Sequence, residues 1–409
     1  MRYLFIHPVF PGQFLKLMAA LAAEPGNEVT HISRQASQNA MPGVRRVQYS
    51  VPADSASVPH PFLQKLNEAL RHGDAVCRVL LEMRARGYRP DVILSYAGHG
   101  QNFYIKDVFP DVPLLGYFEW HLNAFGAEYN FDPDYPLDFD RQRFIRINNL
   151  HNLADLSNCD GGITPTHWQQ AQFPKEFRGK LHVLHDGVDT DYYAPQKPSV
   201  LKLGDRSLAL DDIELVTYST RGMEPFRGFP EFMRALAVLQ AARPKCHAVI
   251  VGTDEIFYSR KPKDAATFKE SLLKELAGKL DLSRVHFTGW LQPADYREVL
   301  RASQAHVYLT YPYVLSWSLM ESMSTGCLVV GSRTPPVMEV IRDRDNGLLV
   351  DFPGHAQLAQ VLEEVLASPA QFAPVRERAR QTVLAHYDQR RLVPEQVRWL
   401  NGWITPRPH

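Results

Sequence analysis

The sequence predicts an α/β protein made of two Rossmann-like halves that face each other across a cleft. Three observations predict it. Short apolar runs of strand length alternate with helical patterns almost throughout, as parallel βα architecture requires. The series occurs twice, interrupted between residues 193 and 212 by Tyr-Ala-Pro-Gln-Lys-Pro and Gly-Asp-Arg, which reads as a linker. The 409 residues, 45% of them apolar, suffice for two or three domains with separate cores. Ligands of such sheets bind outside the carboxyl ends of the strands, so the cleft is where chemistry is expected.

The first series opens with a strand at 3–6 (Tyr3-Leu4-Phe5-Ile6), a turn at 8–12 and a helix at 14–23. Further strands are expected at 28–32, 44–50, 91–96, 113–118, 161–164 and 181–184, short runs bounded by turn residues. Residues 60–88 have a helical pattern with more basic than acidic side chains. That surplus reads as a solvated helix face, with attraction to an anionic membrane surface as the alternative. The second series places strands at 213–219, 247–252, 285–288, 306–310, 328–331 and 348–350. Its first helix puts Phe229, Phe232, Met233, Leu236 and Leu239 at helical spacing, with Pro230 near the start, where a missing N–H costs little. Residues 375–403 are Arg-rich, helical and amphipathic.

Composition removes several classes. Lys plus Arg and Asp plus Glu each total 45, so bulk charge does not hold the chain to nucleic acid. Aromatics at 11% exclude a disordered, solvating chain. Cys77, Cys159, Cys246 and Cys327 lie far apart with no CxxC pair, which suggests neither a disulfide framework nor a zinc site. Met1-Arg2 runs straight into a strand, and no stretch approaches about 18 apolar residues. The expectation is a cytoplasmic protein without leader or membrane span, with peripheral association at the inner membrane face left open.

Three segments concentrate candidate chemistry. After the first strand, Gly12 precedes a helix, where backbone N–H groups approach an anion; an ordinary βα turn is the alternative. One glycine is not GxGxxG, so a nicotinamide cofactor is poorly supported. At the start of the second series, Arg221 and Arg227 flank a turn between strand and helix. Two such guanidinium forks suit phosphate oxygens, although surface ion pairing with Glu224 and Glu231 explains them equally well. In the stretch 310–323 a strand ends and a helix begins near Ser316 to Ser318, whose unpaired N–H groups suit phosphate. Glu321 then either accepts hydrogen bonds from ribose hydroxyls or closes a capping box with Ser318.

In this order the segments resemble the retaining glycosyltransferases of family 4, which have the two-domain GT-B fold. His182 to Asp189 resembles the family's "vipnGVD" segment, with Asp186 in place of Asn, and Ser219 to Gly228 its "GR…KG" segment. Val249 to Gly252 and Val285 to Gly289 resemble its next two strand ends, and Ser318 to Gly331 with Pro335 to Ile341 its "LLEAMACGxPVVxSxxGGxxEVI". The resemblance implies that Arg221 and Arg227, the latter where the family usually has Lys, neutralise a sugar nucleotide's diphosphate. It makes Glu321 the second Glu of the E-x7-E motif, which binds ribose, while Tyr313 replaces the first. Val314, Leu315, Ser316, Trp317 and Ser318 take the place of the phosphate-binding loop. Trp290 and Leu291 stand at the nucleobase pocket, and Gly252 and Gly12 at the family's glycine turns. Glu119 or His121 fills the catalytic-pocket position after the strand at 113–118, with His99 a further candidate.

The implied domains are an N-terminal acceptor domain over 1–195, a linker over 196–212 and a nucleotide-sugar domain over 213–385. A C-terminal helix over 386–409 packs back on the N-terminal domain. The implied function is retaining transfer of a sugar from a nucleotide-diphosphate donor to a hydroxyl of a glycan, lipid-linked or protein acceptor. The donor is a co-substrate, and no cofactor or metal is expected. Asp132-x-Asp134, Asp138-x-Asp140, Asp189-x-Asp191 and Asp343-x-Asp345 imitate metal motifs, but arginines already supply positive charge. A sugar-nucleotide epimerase, a phosphorylase and a non-enzymatic two-lobed binding protein are the rival readings. The acceptor depends on loops 34–60 and 122–145, which match nothing diagnostic.

Overall fold

A computed structural model of the chain describes residues 1–34, 40–52 and 58–404. Residues 35–39 and 53–57 of the acceptor loop, and 405–409 of the C-terminal segment, lie outside the described residues. The chain forms two compact units. Unit 1 comprises Met1–Phe125, Pro136–Gly187 and Gln389–His409, and unit 2 comprises Gly126–Tyr135 and Val188–Asp388.

Unit 1 is built on strands β1 (Arg2–Ile6), β2 (Glu28–Ser33), β3 (Val44–Gln48), β4 (Val92–Tyr96), β5 (Leu114–Tyr117), β6 (Gly161–Thr164) and β7 (Leu181–Val183). They form one parallel sheet in the order β3-β2-β1-β4-β5-β6-β7. Its central strands are buried on both faces, which is why they read as continuous apolar runs and not as alternation. The order changes direction between β1 and β4, so the turns after these strands splay apart and leave a crevice at their carboxyl ends.

Helix Gln389–Asn401 lies in this unit. Its Leu392 and Leu400 share a core with Tyr3, Phe5, Leu17 and Leu21. The Tyr3 hydroxyl donates to Asn401 at 2.8 Å. Trp403 sits over Gly161, where a Cβ would come within 2.5 Å of the indole.

Unit 2 contains an antiparallel hairpin of β8 (Val200–Leu203) and β9 (Arg206–Ala209). This corrects the expectation of a linker over 196–212. Leu201, Leu203, Leu208 and Leu210 alternate toward a cluster with Leu215, Val249 and Val251, and Gly204 takes the left-handed turn position. Proline-rich flanks concealed that alternation.

The main sheet comprises β10 (Glu214–Gly222), β11 (Cys246–Thr253), β12 (Val285–Gly289), β13 (Ala305–Tyr308), β14 (Val329–Ser332) and β15 (Leu348–Val350). Its order is β12-β11-β10-β13-β14-β15, all parallel, with the reversal between β10 and β13. The helix Phe229–Ala242 buries Phe229, Phe232, Met233, Leu236 and Leu239 on this sheet. No helix among the described residues is long and apolar enough to cross a membrane.

Candidate functional site

In unit 2 the switch point brings together the turn after β10 and the loop after β13. Arg227 closes a short 3₁₀ turn, Pro225–Arg227, and Gly228 follows in the left-handed region at φ 70°. Its guanidinium Nη1 donates to Thr310 Oγ1 at 2.7 Å and to the Val314 carbonyl at 3.2 Å, which holds the two loops together. It also lies 5.8 Å from the centre of the Tyr313 ring. Its partners are uncharged oxygens, and among the described residues no carboxylate pairs with it. Arg221 is exposed and stacks its guanidinium 4.0 Å over Phe257.

The ion-pair alternative therefore fails for both arginines. Glu231 pairs with Arg234 and His355. Glu224 is fully buried and accepts the backbone N–H groups of Phe257, Tyr258 and Ser259 at 3.2, 3.1 and 2.7 Å. It pins the loop that carries Phe257 beneath Arg221, a role that no sequence signal announced. Phe226, Tyr258, Tyr311 and Tyr313 form an aromatic wall beside Arg227, with ring centres 4.8–5.5 Å apart. Tyr313, standing where the motif's first Glu is expected, gives this position a half-buried ring in place of a carboxylate.

The loop over 314–318 leads into helix Trp317–Ser324. Ser316 is the N-cap, and its hydroxyl accepts the Ser318 N–H at 3.3 Å and the Ser318 hydroxyl at 2.9 Å. The Ser316 N–H donates to the Tyr308 hydroxyl at 2.8 Å. Leu315 is buried, Val314 half-buried and Trp317 exposed.

The capping box of Ser318 with Glu321 does not form, because the N-cap is Ser316, two residues earlier, and Glu321 lies too far inside the helix. Glu321 instead takes a hydrogen bond from the Tyr193 hydroxyl, and burial raises its carboxyl to about 7 against that bond. Its charge also acts on Tyr296, whose hydroxyl bonds Ser219 at the end of β10. The carboxyl thus belongs to the same strand ends as the arginines.

Gly252 has φ 146°, and a Cβ there would meet the Thr220 carbonyl at 2.4 Å, so close approach of β10 and β11 explains it. Trp290 is 68% exposed, whereas Leu291 packs into the cluster of Leu201, Leu215 and Val251.

In unit 1 the turns after β1, β4 and β5 meet in a polar aromatic cluster. His7 is buried and receives the Val9 N–H on Nδ1 at 2.9 Å; burial lowers its pKa. Its ring packs 4.7 Å from Tyr96, which stacks on His99 and on Tyr117. Gly12 (φ 58°) lies against His7, leaving no room for a Cβ. The Tyr96 hydroxyl donates to Glu119, and the Tyr117 hydroxyl donates to Asp186 at 2.9 Å.

Glu119 therefore belongs to this cluster and His121 does not. The latter is 7% exposed against Phe173, its pKa lowered by burial to about 4. Regular alternation would send residues two apart to the same side, but the chain after β5 is irregular, and Glu119 turns to Tyr96 while His121 turns to Phe173. Tyr96 and Asp186 were not singled out from sequence, although Asp186 departs visibly from the Asn of the motif it matches.

The Asp-x-Asp pairs have structural partners. Asp138 caps the helix Phe139–Asn148, Asp189 accepts the Tyr192 N–H, and Asp343 pairs with Arg333. Asp132 accepts the Tyr311 hydroxyl, within unit 2. No group of three or more His, Cys, Asp or Glu that could hold a metal occurs among the described residues.

Comparison with known proteins gives two family matches. The model of the glycosyl transferase family 4 group matches residues 25–193, and that of the glycosyl transferases group 1 matches residues 206–382. A curated relative, D-inositol 3-phosphate glycosyltransferase of Nocardioides sp., is 26% identical over 198 residues, 47% of this chain and 42% of that protein. The match thus spans well under half of the relative's length. Among solved structures, Anabaena HepE in complex with UDP superimposes with TM-score 0.69 at 16% identity, covering 98% of this chain and 100% of that one. Sucrose-phosphate synthase from Thermosynechococcus elongatus does so with TM-score 0.70 at 17% identity, covering 98% of each chain. Likeness at such identities establishes the fold, which is that of GT-B glycosyltransferases.

Proposed function

Because the chain belongs to the family 4, group 1 glycosyltransferases, we propose that it moves a sugar from a nucleotide-diphosphate donor to an acceptor hydroxyl with retention of anomeric configuration. One observation carries the proposal: Arg227 is a half-buried cation satisfied only by uncharged oxygens. A buried charge without a counter-charge is costly, and a diphosphate is the ligand that would neutralise it. HepE has been solved with UDP and with UDP-glucose, so a uridine nucleotide is the first donor to test.

The residues then divide the work. Arg227, Arg221 and the hydroxyls of Ser316 and Ser318 would hold the diphosphate. As the glycosidic bond breaks, negative charge grows on the β-phosphate, and preorganised donors stabilise that charge more than they stabilise the bound donor. Glu321 would accept hydrogen bonds from ribose hydroxyls, and the aromatic wall containing Tyr313 would flank the sugar.

In front-face attack the acceptor oxygen forms the new bond to the anomeric carbon on the side the diphosphate leaves. The departing phosphate oxygen takes the acceptor proton, so no strong protein base is needed. Glu119, held by Tyr96, would then orient the sugar or the acceptor. Positive charge comes from arginine, so the proposed reaction uses no metal. The product is a glycan or glycoconjugate, made where nucleotide sugars are available, in the cytoplasm or at the inner membrane face.

The test is direct. Purified protein is heated with UDP, GDP or ADP, and a nucleotide at 100 times its Kd adds about 2.7 kcal/mol of stability. NMR of the glycosylated product from the matching nucleotide sugar should then show the donor's anomeric configuration. Inversion, or no stabilisation by any nucleotide, would overturn the proposal.

A further inference from the structure

A segment that interrupts unit 1 in sequence joins the aromatic wall of unit 2. The chain passes from unit 1 to unit 2 after Phe125 and returns after Tyr135, so Gly126–Tyr135 packs with residues far from it in sequence. Within unit 2, the Phe131 ring lies 5.1 Å from Tyr311 and 5.8 Å from Phe352, which are themselves 5.6 Å apart. Tyr311 in turn lies 5.0 Å from Phe226, and Phe226 lies 5.0 Å from Tyr313, the ring beside Arg227. Asp132 accepts the Tyr311 hydroxyl. We propose that Asp132 and Phe131 are positioning residues for the donor sugar: they fix Tyr311, and through it the wall that flanks the sugar. The inference rests on the transferase reading above and adds the segment that shapes its donor site.

Packing alone would not need a tyrosine at position 311. The residue is 5% exposed, and a phenylalanine would fill the same ring volume with no hydroxyl to satisfy. Buried, that hydroxyl must find an acceptor or cost stability, and Asp132 is the acceptor it finds. Burial, then the hydrogen bond and the charge of Asp132, raises the Tyr311 pKa, so the phenol keeps the proton it donates. Ring contacts are weakly directional, whereas a hydrogen bond to a carboxylate fixes where the end of the ring lies. The carboxylate is itself held in a turn. Its Oδ1 accepts the Asp134 N–H at 2.9 Å and the Asp132 carbonyl accepts the Tyr135 N–H at 3.0 Å, while Oδ2 takes Tyr311. The constraint continues along the backbone, since the Tyr311 N–H donates to the Phe226 carbonyl at 3.0 Å. Arg227 is held separately, by Thr310 and the Val314 carbonyl. Loss of the Asp132 bond should therefore disturb the wall and spare the diphosphate contact.

The full chain is titrated calorimetrically with UDP and with UDP-glucose, or with the GDP or ADP counterparts if one of those is the nucleotide bound. The quantity read is the ratio of the two dissociation constants, because general loosening of the fold weakens both ligands together. In D132A and in Y311F the nucleotide sugar should weaken about tenfold relative to the nucleotide, which itself stays within about twofold of wild type. D132N keeps an acceptor oxygen for Tyr311 and should restore the ratio to within about threefold of wild type. F131A, which removes a ring from the wall, should shift the ratio in the same direction as D132A. An unchanged ratio in D132A, Y311F or F131A, or equal weakening of both ligands, would overturn the inference. If D132A fails to fold, Y311F, which keeps the ring, decides. If the wild-type protein binds no nucleotide, the donor reading falls instead, and hydrogen exchange of the Tyr311 amide decides the role of Asp132. Exchange about tenfold faster in Y311F than in wild type supports it, and unchanged exchange overturns it.

Discussion

Replacing Arg227 with Met separates a functional cation from a structural one. Methionine keeps the apolar stem and removes the charge. A guanidinium about 4 Å from a phosphate oxygen, at an effective dielectric of about 20, contributes about 4 kcal/mol. Removal of one preorganised donor from a developing oxyanion costs about 2.7–4 kcal/mol, so kcat should fall roughly 10²–10³-fold. UDP affinity should fall in parallel, since the diphosphate feels the same charge.

Folding should respond in a different way. The hydrogen bonds to Thr310 and Val314 disappear, at about 1 kcal/mol each. Against that loss, a half-buried cation with no carboxylate partner is removed, and such charges cost several kcal/mol. The unliganded variant should therefore unfold within about 1–2 kcal/mol of wild type. Thermal melts of apo and UDP-saturated protein, with calorimetric UDP titration, measure both quantities. UDP affinity unchanged alongside apo destabilisation beyond about 3 kcal/mol would refute the reasoning, because Arg227 would then be a structural strut.

Four further outcomes are expected. E321A should weaken UDP about 10–100-fold, the range of a hydrogen bond to a charged group, and leave inorganic pyrophosphate binding as it was; equal losses for both ligands would count against a ribose contact. Asp155 is buried beneath the Gly98 N–H at 2.7 Å, and burial raises its carboxyl to about 7. Its protonated form supports the fold fully below the unfolded value near 4, and this support is lost as pH rises to about 7. D155N keeps an oxygen for Gly98, so its unfolding free energy should exceed that of wild type at pH 8, by up to about 4 kcal/mol, and match it near pH 4; parallel pH curves would contradict this. G252A should lose at least about 2 kcal/mol in urea unfolding, because φ 146° and the Thr220 carbonyl at 2.4 Å both oppose a Cβ. Turnover should persist in excess EDTA, and its loss there would show that arginine charge alone does not serve the leaving group.

Period and order made most of the framework legible. Strands β1–β7 and β10–β15 lie within a few residues of their expected places, because parallel strands buried on both faces are continuous apolar runs in the sequence. The arginines and the loop over 314–318 were readable for a similar reason: they sit where strand meets helix, a position that local pattern marks. The hairpin Val200–Ala209 was hidden, since four leucines are too few to outweigh neighbouring prolines until Leu215, Val249 and Val251 are seen to receive them.

The choices among candidate side chains belonged to the tertiary structure. Whether Glu119 or His121 reaches the rim depends on Tyr96 and Phe173, remote in sequence from both. Glu321 gave up its capping role because Ser316 started the helix and Tyr193, brought in from another segment, supplied a hydroxyl. Glu224 became an anchor only when the loop at 257–259 folded over it with three N–H groups unpaired. Spacing along a chain determines which local element forms, since that needs only neighbours within a turn or a pleat. A side chain's partner and charge environment are set by residues far along the chain, and those distances exist only after folding.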